Sequence, residues 1–134
     1  MTVKVTGTSF DDIVPGLQKA LDGALANTLN LQQDALNKDN PVDTGRMASS
    51  WRIGFNTRPD ADRGKDWESD VGVKWKYTNE IKFKGDWYIS NNVPYAIYTA
   101  LNYKPSAKAQ KDWYTSIANR TGQVFVKQFN KLKP

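Results

Sequence analysis

Residues 9–40 read SFDDIVPGLQKALDGALANTLNLQQDALNKDN, and the fold turns on how this stretch is read. Phe10, Ile13, Leu17, Leu21, Leu25, Leu29 and Leu36 recur close to helical spacing, joined by Ala20, Ala24, Leu31 and Ala35. That period gathers apolar side chains on one face, so a long amphipathic helix is predicted. Ser9 or Asp11 can cap its start and place negative charge near the positive end of the helix dipole. Pro15 either sits in the first turn or marks the true beginning. Asn40-Pro41 breaks the helix, which should end between Asn37 and Asn40. Roughly 25 residues of helix measure about 37 Å, more than the core of so small a domain needs. Part of the helix is therefore expected to pack against something else.

Upstream, Val3 and Val5 alternate with Lys4 and Thr6, a short strand or extended arm. Downstream, Asp43 or Thr44 can cap a short helix over Arg46 to Ser50, and Trp51, Ile53 and Phe55 alternate as a strand should. Thr57 to Asp70 holds five Asp or Glu and three Arg or Lys, with a Pro and a Gly, a solvated loop. Val71, Val73, Trp75 and Tyr77 face one way and Lys74 and Lys76 the other; Ile81 and Phe83 alternate with Lys82 and Lys84. Turns at Thr78-Asn79-Glu80 and Lys84-Gly85-Asp86 would join these to Trp87-Tyr88-Ile89. Pro94 opens a short helical stretch through Leu101. From Ala107 to Leu132, Trp113, Ile117, Thr121, Val124, Phe125, Phe129 and Leu132 repeat at helical spacing, with Gly122 a soft point inside. The expected fold is a single α+β domain over residues 1–134. A small antiparallel sheet is covered by a long N-terminal and a long C-terminal helix, with short helices between and a charged loop and hairpin insertion at about 57–86.

Composition narrows function more than it defines it. The chain has 134 residues, 39% hydrophobic and 25% charged, enough for one domain with a real core. It contains no Cys and no His, which removes disulfides, Cys/His zinc sites, thiol nucleophiles and every Ser-His or Cys-His pair. Any enzyme here would work through carboxylates or lysine. No apolar run approaches the ~18 residues that span a bilayer, and the first residues carry no signal-peptide pattern, so a soluble, intracellularly made protein is expected. Nineteen Lys plus Arg against fourteen Asp plus Glu leave a charge of +5, which serves solubility, nucleic acid or an acidic partner.

No catalytic, metal or cofactor set can be assembled. Asp60 to Asp66 resembles the opening of a calcium loop, but the glycine stands one place early and the twelfth position is Val71 in place of Glu. Glu68 and Glu80, the only two Glu, lie in polar turns, not across an apolar cleft. Gly7, Gly16 and Gly23 form no phosphate loop. Lys74, Lys76, Lys82 and Lys84, interleaved with Trp75, Tyr77, Phe83 and Trp87, offer an alternative, a single-stranded nucleic-acid-binding module. Strand alternation would put the lysines and the aromatics on opposite faces, however, which better suits a buried aromatic face and a solvated one that discourages edge pairing. Aromatic residues make up 12% of the chain, and Trp67, Trp87, Tyr88, Tyr95, Tyr98 and Tyr103 fall outside the regular core periodicity. Such side chains fill the centres of interfaces, so association with copies of the same chain is expected.

The segment Asn40-Pro41-Val42-Asp43-Thr44-Gly45-Arg46-Met47-Ala48-Ser49-Ser50-Trp51, behind a long helix, resembles the tail-completion and neck proteins of tailed bacteriophages. There a Pro-Val-Asp-Thr-Gly-Arg-Leu-x-x-Ser pattern stands at this place; Met47 replaces the Leu and Ser50 matches the Ser. Val93-Pro94-Tyr95-Ala96-Ile97-Tyr98 is similar to the family's second signature, Pro-Tyr-Ala-x-Tyr before Glu-x-Gly, although Thr99-Ala100-Leu101-Asn102 stands where that Glu-x-Gly would be. Physically, Thr44 can cap, Gly45 can turn the backbone, Ser50 can bond a backbone group and Arg46 can meet a carboxylate: scaffold roles. The resemblance implies a structural virion protein of the neck, made in the host cytoplasm. It would form a hexameric ring around the DNA channel, joined to a head-closure or adaptor protein on one side and to the tail tube or tail terminator on the other. Pro41, Asp43, Thr44, Gly45, Arg46, Ser50, Pro94, Tyr95, Ala96 and Tyr98 would be its motif scaffold. Trp67, Lys82, Lys84, Trp87, Tyr88 and Tyr103 are the expected interface residues. DNA would pass without sequence readout, the lumen would carry few cations, and the positive charges would face an acidic partner ring.

Overall fold

A computed structural model describes residues 10–40, 47, 50–59, 76–93 and 112–134. Within them the order is α1 (Phe10–Asp39), β1 (Arg52–Phe55), β2 (Trp87–Ser90), α2 (Trp113–Asn119) and α3 (Thr121–Leu132). The expected α+β architecture is present: a two-stranded antiparallel sheet with a long N-terminal helix and helices at the C-terminal end.

The first helix is longer than its apolar pattern alone implied. It starts at Phe10, which puts Pro15 in the second turn, where the missing N–H costs the bond to the carbonyl of Asp11. It stops at Asp39, as the Asn40-Pro41 break requires, and the Asn40 N–H closes the last turn on Leu36 O at 3.0 Å. Thirty residues extend about 45 Å.

α3 returns antiparallel along α1. Gln32 meets Thr121, Asn27 meets Gln128, and Gly23 lies against Leu132. The α1 side of this seam is lined by small groups: a methyl at Gly23 would stand 2.9 Å from Leu132 Cδ1, and one at Gly16 would stand 3.2 Å from Pro134 Cγ. Ala20, Ala24 and Thr28 on the same side are buried, and Thr28 Oγ1 donates to Ala24 O at 2.7 Å.

The core proper sits at the other end of α1. Leu36, Met47, Trp51, Val93, Trp113 and Ile117 form one buried cluster, with Ala35, Ile89 and Tyr114 packed against it. Trp51 crosses Trp113 edge-on at 6.3 Å and stacks on Tyr114 at 6.1 Å. Burying side chains of this size contributes about 1.5–3 kcal/mol each, which explains how an otherwise marginal pair of four-residue strands is held.

The expected second long helix divides. Arg120 leaves helical register, its N–H bonding three residues back to Ile117 O at 3.1 Å, and α3 begins anew at Thr121. The reason lies in α1. Buried Gln32 donates through Nε2 to Ile117 O at 2.7 Å and to Thr121 Oγ1 at 2.8 Å, while Thr121 Oγ1 donates to Ala118 O at 2.8 Å. The break is thus capped by a side chain from another helix, two residues before Gly122. Ala107–Lys111 lie outside the described residues.

The strand pattern is also corrected. β1 pairs with β2 in the register Arg52↔Ser90, Ile53↔Ile89, Gly54↔Tyr88 and Phe55↔Trp87. Ile81 and Phe83, read as a strand from their alternation, belong to a bent loop, and Lys76 and Tyr77 carry no strand either. The backbone there is bonded elsewhere: the Phe83 N–H goes to Asp22 Oδ1 and the Lys82 carbonyl accepts from the Trp87 indole. Of the short helix expected over Arg46–Ser50 only Met47 and Ser50 are described, joined by the Ser50 N–H to Met47 O bond at 3.0 Å; the expected strand over Val71–Trp75, the short helix at 94–101 and the extended arm at 3–6 lie outside the described residues.

Candidate interaction surface

The segment before β2 forms a compact, stapled loop. The Lys84 N–H donates to Lys82 O at 2.8 Å, and the Trp87 indole N–H is shared between Lys82 O at 3.1 Å and Lys84 O at 3.0 Å. Gly85 takes φ +66°, a left-handed conformation that a side chain would strain. Asn56, itself at φ 60°, links the two strand ends: its N–H donates to Asp86 O at 2.6 Å, and Asp86 N–H donates to Asn56 Oδ1 at 3.0 Å.

This loop docks on the helical pair. The Phe83 N–H donates to Asp22 Oδ1 of α1 at 2.7 Å, and the Phe83 ring stacks on Phe125 of α3 at 5.6 Å. Asp22 also accepts from Gln18 Nε2 at 2.9 Å. The backbone bond from Phe83, then Gln18, then the nearby Lys82 and Lys84 hold its carboxyl below the ordinary aspartate value, opposed by partial burial. Phe83 still leaves 47% of its surface exposed.

Four of the expected interface residues therefore converge. Lys84, Trp87 and Tyr88 line an open groove of about 580 Å³ together with Leu25, Phe83 and Gly85. Lys82 stands beside it, 3.6 Å from Glu80 on the surface. The aromatic faces are largely occupied. Trp87 lies against Phe55 at 4.8 Å and edge-on to Tyr77 at 5.5 Å, and Arg58 sits over the Tyr88 ring at 5.8 Å. Trp67 and Tyr103 lie outside the described residues.

Of the motif scaffold, Ser50 is described and fully buried, its N–H donating to Met47 O at 3.0 Å. Pro41, Asp43, Thr44, Gly45, Arg46, Pro94, Tyr95, Ala96 and Tyr98 lie outside the described residues. The flanks of the motif join the core: Met47 is buried and its carbonyl accepts from Asn91 Nδ2 at 2.8 Å, and Trp51 Nε1 donates to Asn40 Oδ1 at 3.0 Å. Gln33 Nε2 donates to Trp51 O at 2.9 Å.

Asp22, Gln32 and Gln33 do not stand out in the sequence, and Asn40 does so only as a helix breaker. A signal existed: Thr28, Gln32 and Gln33 are polar residues inside the apolar register of Leu25, Leu29 and Leu36, and a buried polar group needs a partner. Among the described residues no group of three or more His, Cys, Asp or Glu side chains gathers, and no helix is long and apolar enough to cross a membrane. No known protein family model, curated protein or solved structure matches this chain.

Proposed function

We propose that this chain is a structural subunit of a bacteriophage neck, joining the head connector to the tail as a ring of identical copies around the DNA channel. The observation that carries the reading is the motif segment from Asn40 to Trp51, which stands directly behind a long helix and is followed by the Pro94-Tyr95-Ala96 signature. Asn40, Met47, Ser50 and Trp51 are buried in the interior, the behaviour of a segment that closes a scaffold. Exposed apolar side chains add support: Val14, Leu17 and Leu31 of α1 and Phe83 of the stapled loop find no full cover within the described residues. Sparse apolar groups of this kind, with half-exposed aromatics, suit contacts between neighbouring subunits and with the rings above and below. The role requires shape and rigidity and no chemical step.

Light scattering coupled to size-exclusion chromatography of the full chain tests the reading. A discrete multi-subunit species is expected, alone or with neck partners; a monomer under all these conditions rejects it, as does absence of the chain from purified virions.

Single-stranded nucleic-acid binding is the second reading, since Lys84 shares one groove with Trp87 and Tyr88. The intramolecular cover on those rings leaves little face for a base to stack on. Salt-dependent binding of a labelled oligonucleotide, abolished by Lys74→Glu with Lys76→Glu, would favour it.

A further inference from the structure

α3 has two unlike sides. Val124, Phe125, Gln128 and Phe129 are half-buried. On the other side Asn119, Gly122, Gln123, Lys127, Asn130 and Lys131 line an open depression of about 860 Å³. Every one of these six is exposed.

Three observations on this outer side point to a ligand. The first is the sign of its charge. From Trp113 to Pro134 there is no Asp or Glu, whereas Arg120, Lys127, Lys131 and Lys133 carry four positive charges. A face that serves solubility alone intersperses both signs, as α1 does with Lys19 and Lys38 among its aspartates.

The second is Gly122. Glycine weakens a helix, and Gly16 and Gly23 have close neighbours that account for their missing side chains. A methyl at Gly122 would meet nothing within 4 Å, so no packing contact among the described residues calls for its bare backbone. It leaves room for a group outside the chain to approach.

The third is the chemistry and spacing of the lining. Lys127 and Lys131 stand one turn apart, about 6 Å along the axis, so both can meet phosphates of one strand. Asn119, Gln123 and Asn130 add amide donors beside them. Val126, 56% exposed, is the single large apolar group on this side, whereas the centre of a protein interface is apolar and aromatic.

We propose that the outer side of α3 is a nucleic-acid-binding face that lies along the phosphate backbone of duplex DNA without reading its sequence. Lys127 and Lys131 neutralise phosphates, the amides bond phosphate oxygens, and Gly122 lets the backbone come close. Two lysines per chain make a loose contact that guides a duplex without holding it. The face does not share residues with the groove lined by Lys84, Trp87 and Tyr88 and does not depend on ring formation.

The test is fluorescence anisotropy of the full chain with a labelled, mixed-sequence duplex. Two neutralised phosphates give a salt slope of about −1.8, so raising salt from about 25 to about 150 mM should weaken binding about 25-fold. Lys127→Gln with Lys131→Gln should bring binding at low salt down to background while circular dichroism is unchanged, because both side chains are exposed. Lys74→Glu with Lys76→Glu should retain binding. No duplex binding at low salt overturns the proposal; so does binding that survives loss of Lys127 and Lys131. Competition by polyglutamate as strong as by unlabelled duplex also overturns it, and assigns the face to an acidic protein. None of these outcomes alters the oligomeric state read by light scattering, so the proposal and the ring fail or stand separately.

Discussion

The indole N–H of Trp51 donates to the side-chain carbonyl of Asn40 at 3.0 Å, both groups buried, one at the end of α1 and the other at the entry to β1. Ten residues of sequence, among them the whole Pro-Val-Asp-Thr-Gly-Arg stretch, separate the two partners of this bond. The Trp51 carbonyl is held as well, by Gln33, so the residue is fixed from both its ends by α1. Asn40→Ala should strand the indole N–H in the core and cost about 1–3 kcal/mol, read as a lower urea midpoint at unchanged slope. Trp51→Phe in the Asn40→Ala background should cost less than it does in the wild type, because the bond is already gone.

Gln32 is the cap of the α2–α3 break. Gln32→Ala should leave Ile117 O without its cross-helix donor and destabilise the fold by about 1–3 kcal/mol. Amide exchange should quicken at Arg120 and Thr121 before it does at the middle of α1. Unchanged exchange at the junction would show that the break is set by α2 and α3 alone.

Asp22 links loop, sheet and helices through Phe83. Its folded-state pKa is depressed, chiefly by the Phe83 N–H, so its contribution is present above the unfolded value near 3.8 and is lost as pH falls through the lower folded value. The stability difference between the wild type and Asp22→Ala should therefore be constant near neutrality and shrink as acid titrates the carboxyl. A pH series of urea melts reads the sign directly.

Three glycines separate three physical cases. Gly122→Ala adds a methyl into open space and should stabilise α3 by about 0.5–1 kcal/mol. Gly54→Ala drives a methyl to 2.5 Å from Pro59 Cδ and 2.7 Å from Thr57 O, and should destabilise the β1 edge by about 1–3 kcal/mol. Gly85→Ala adds strain at φ +66° and a clash with Phe55 and Asn56, so it should loosen the stapled loop. Thermal melts rank the three.

Phe83→Ala should remove the stacking on Phe125, worth about 0.5–1.5 kcal/mol beyond buried area, while leaving the β1–β2 register intact. Retained far-ultraviolet dichroism with a reduced melting temperature is the expected pair of readings.

Local chemistry was enough to place α1, its end before Pro41, the strand at 52–55 and the strand at 87–90. Each has a period or a breaker within a few residues of itself, and none depends on distant chain for its position. Where the sequence misled, the deciding partner was remote. Ile81 and Phe83 alternate like a strand, but the Phe83 N–H is taken by Asp22, and the carbonyl of Lys82 between them by the Trp87 indole and the Lys84 N–H. The single C-terminal helix implied by periodicity is cut at Arg120 by a glutamine eighty-five positions from Ile117.

The candidate surface divides in the same way. That Lys82, Lys84, Trp87 and Tyr88 belong together was legible from their nearness in the chain; that the ring of Trp87 is covered by Phe55 and Tyr77 was not. From the residues themselves came the helix, its breaker, the acid-free C-terminus and the absence of Cys and His. Those are properties of side-chain identity and spacing, which a linear chain already contains. Strand pairing, the helix break and the cover on each aromatic face were decided only in three dimensions, because each depends on a hydrogen bond or ring contact between residues far apart in the chain.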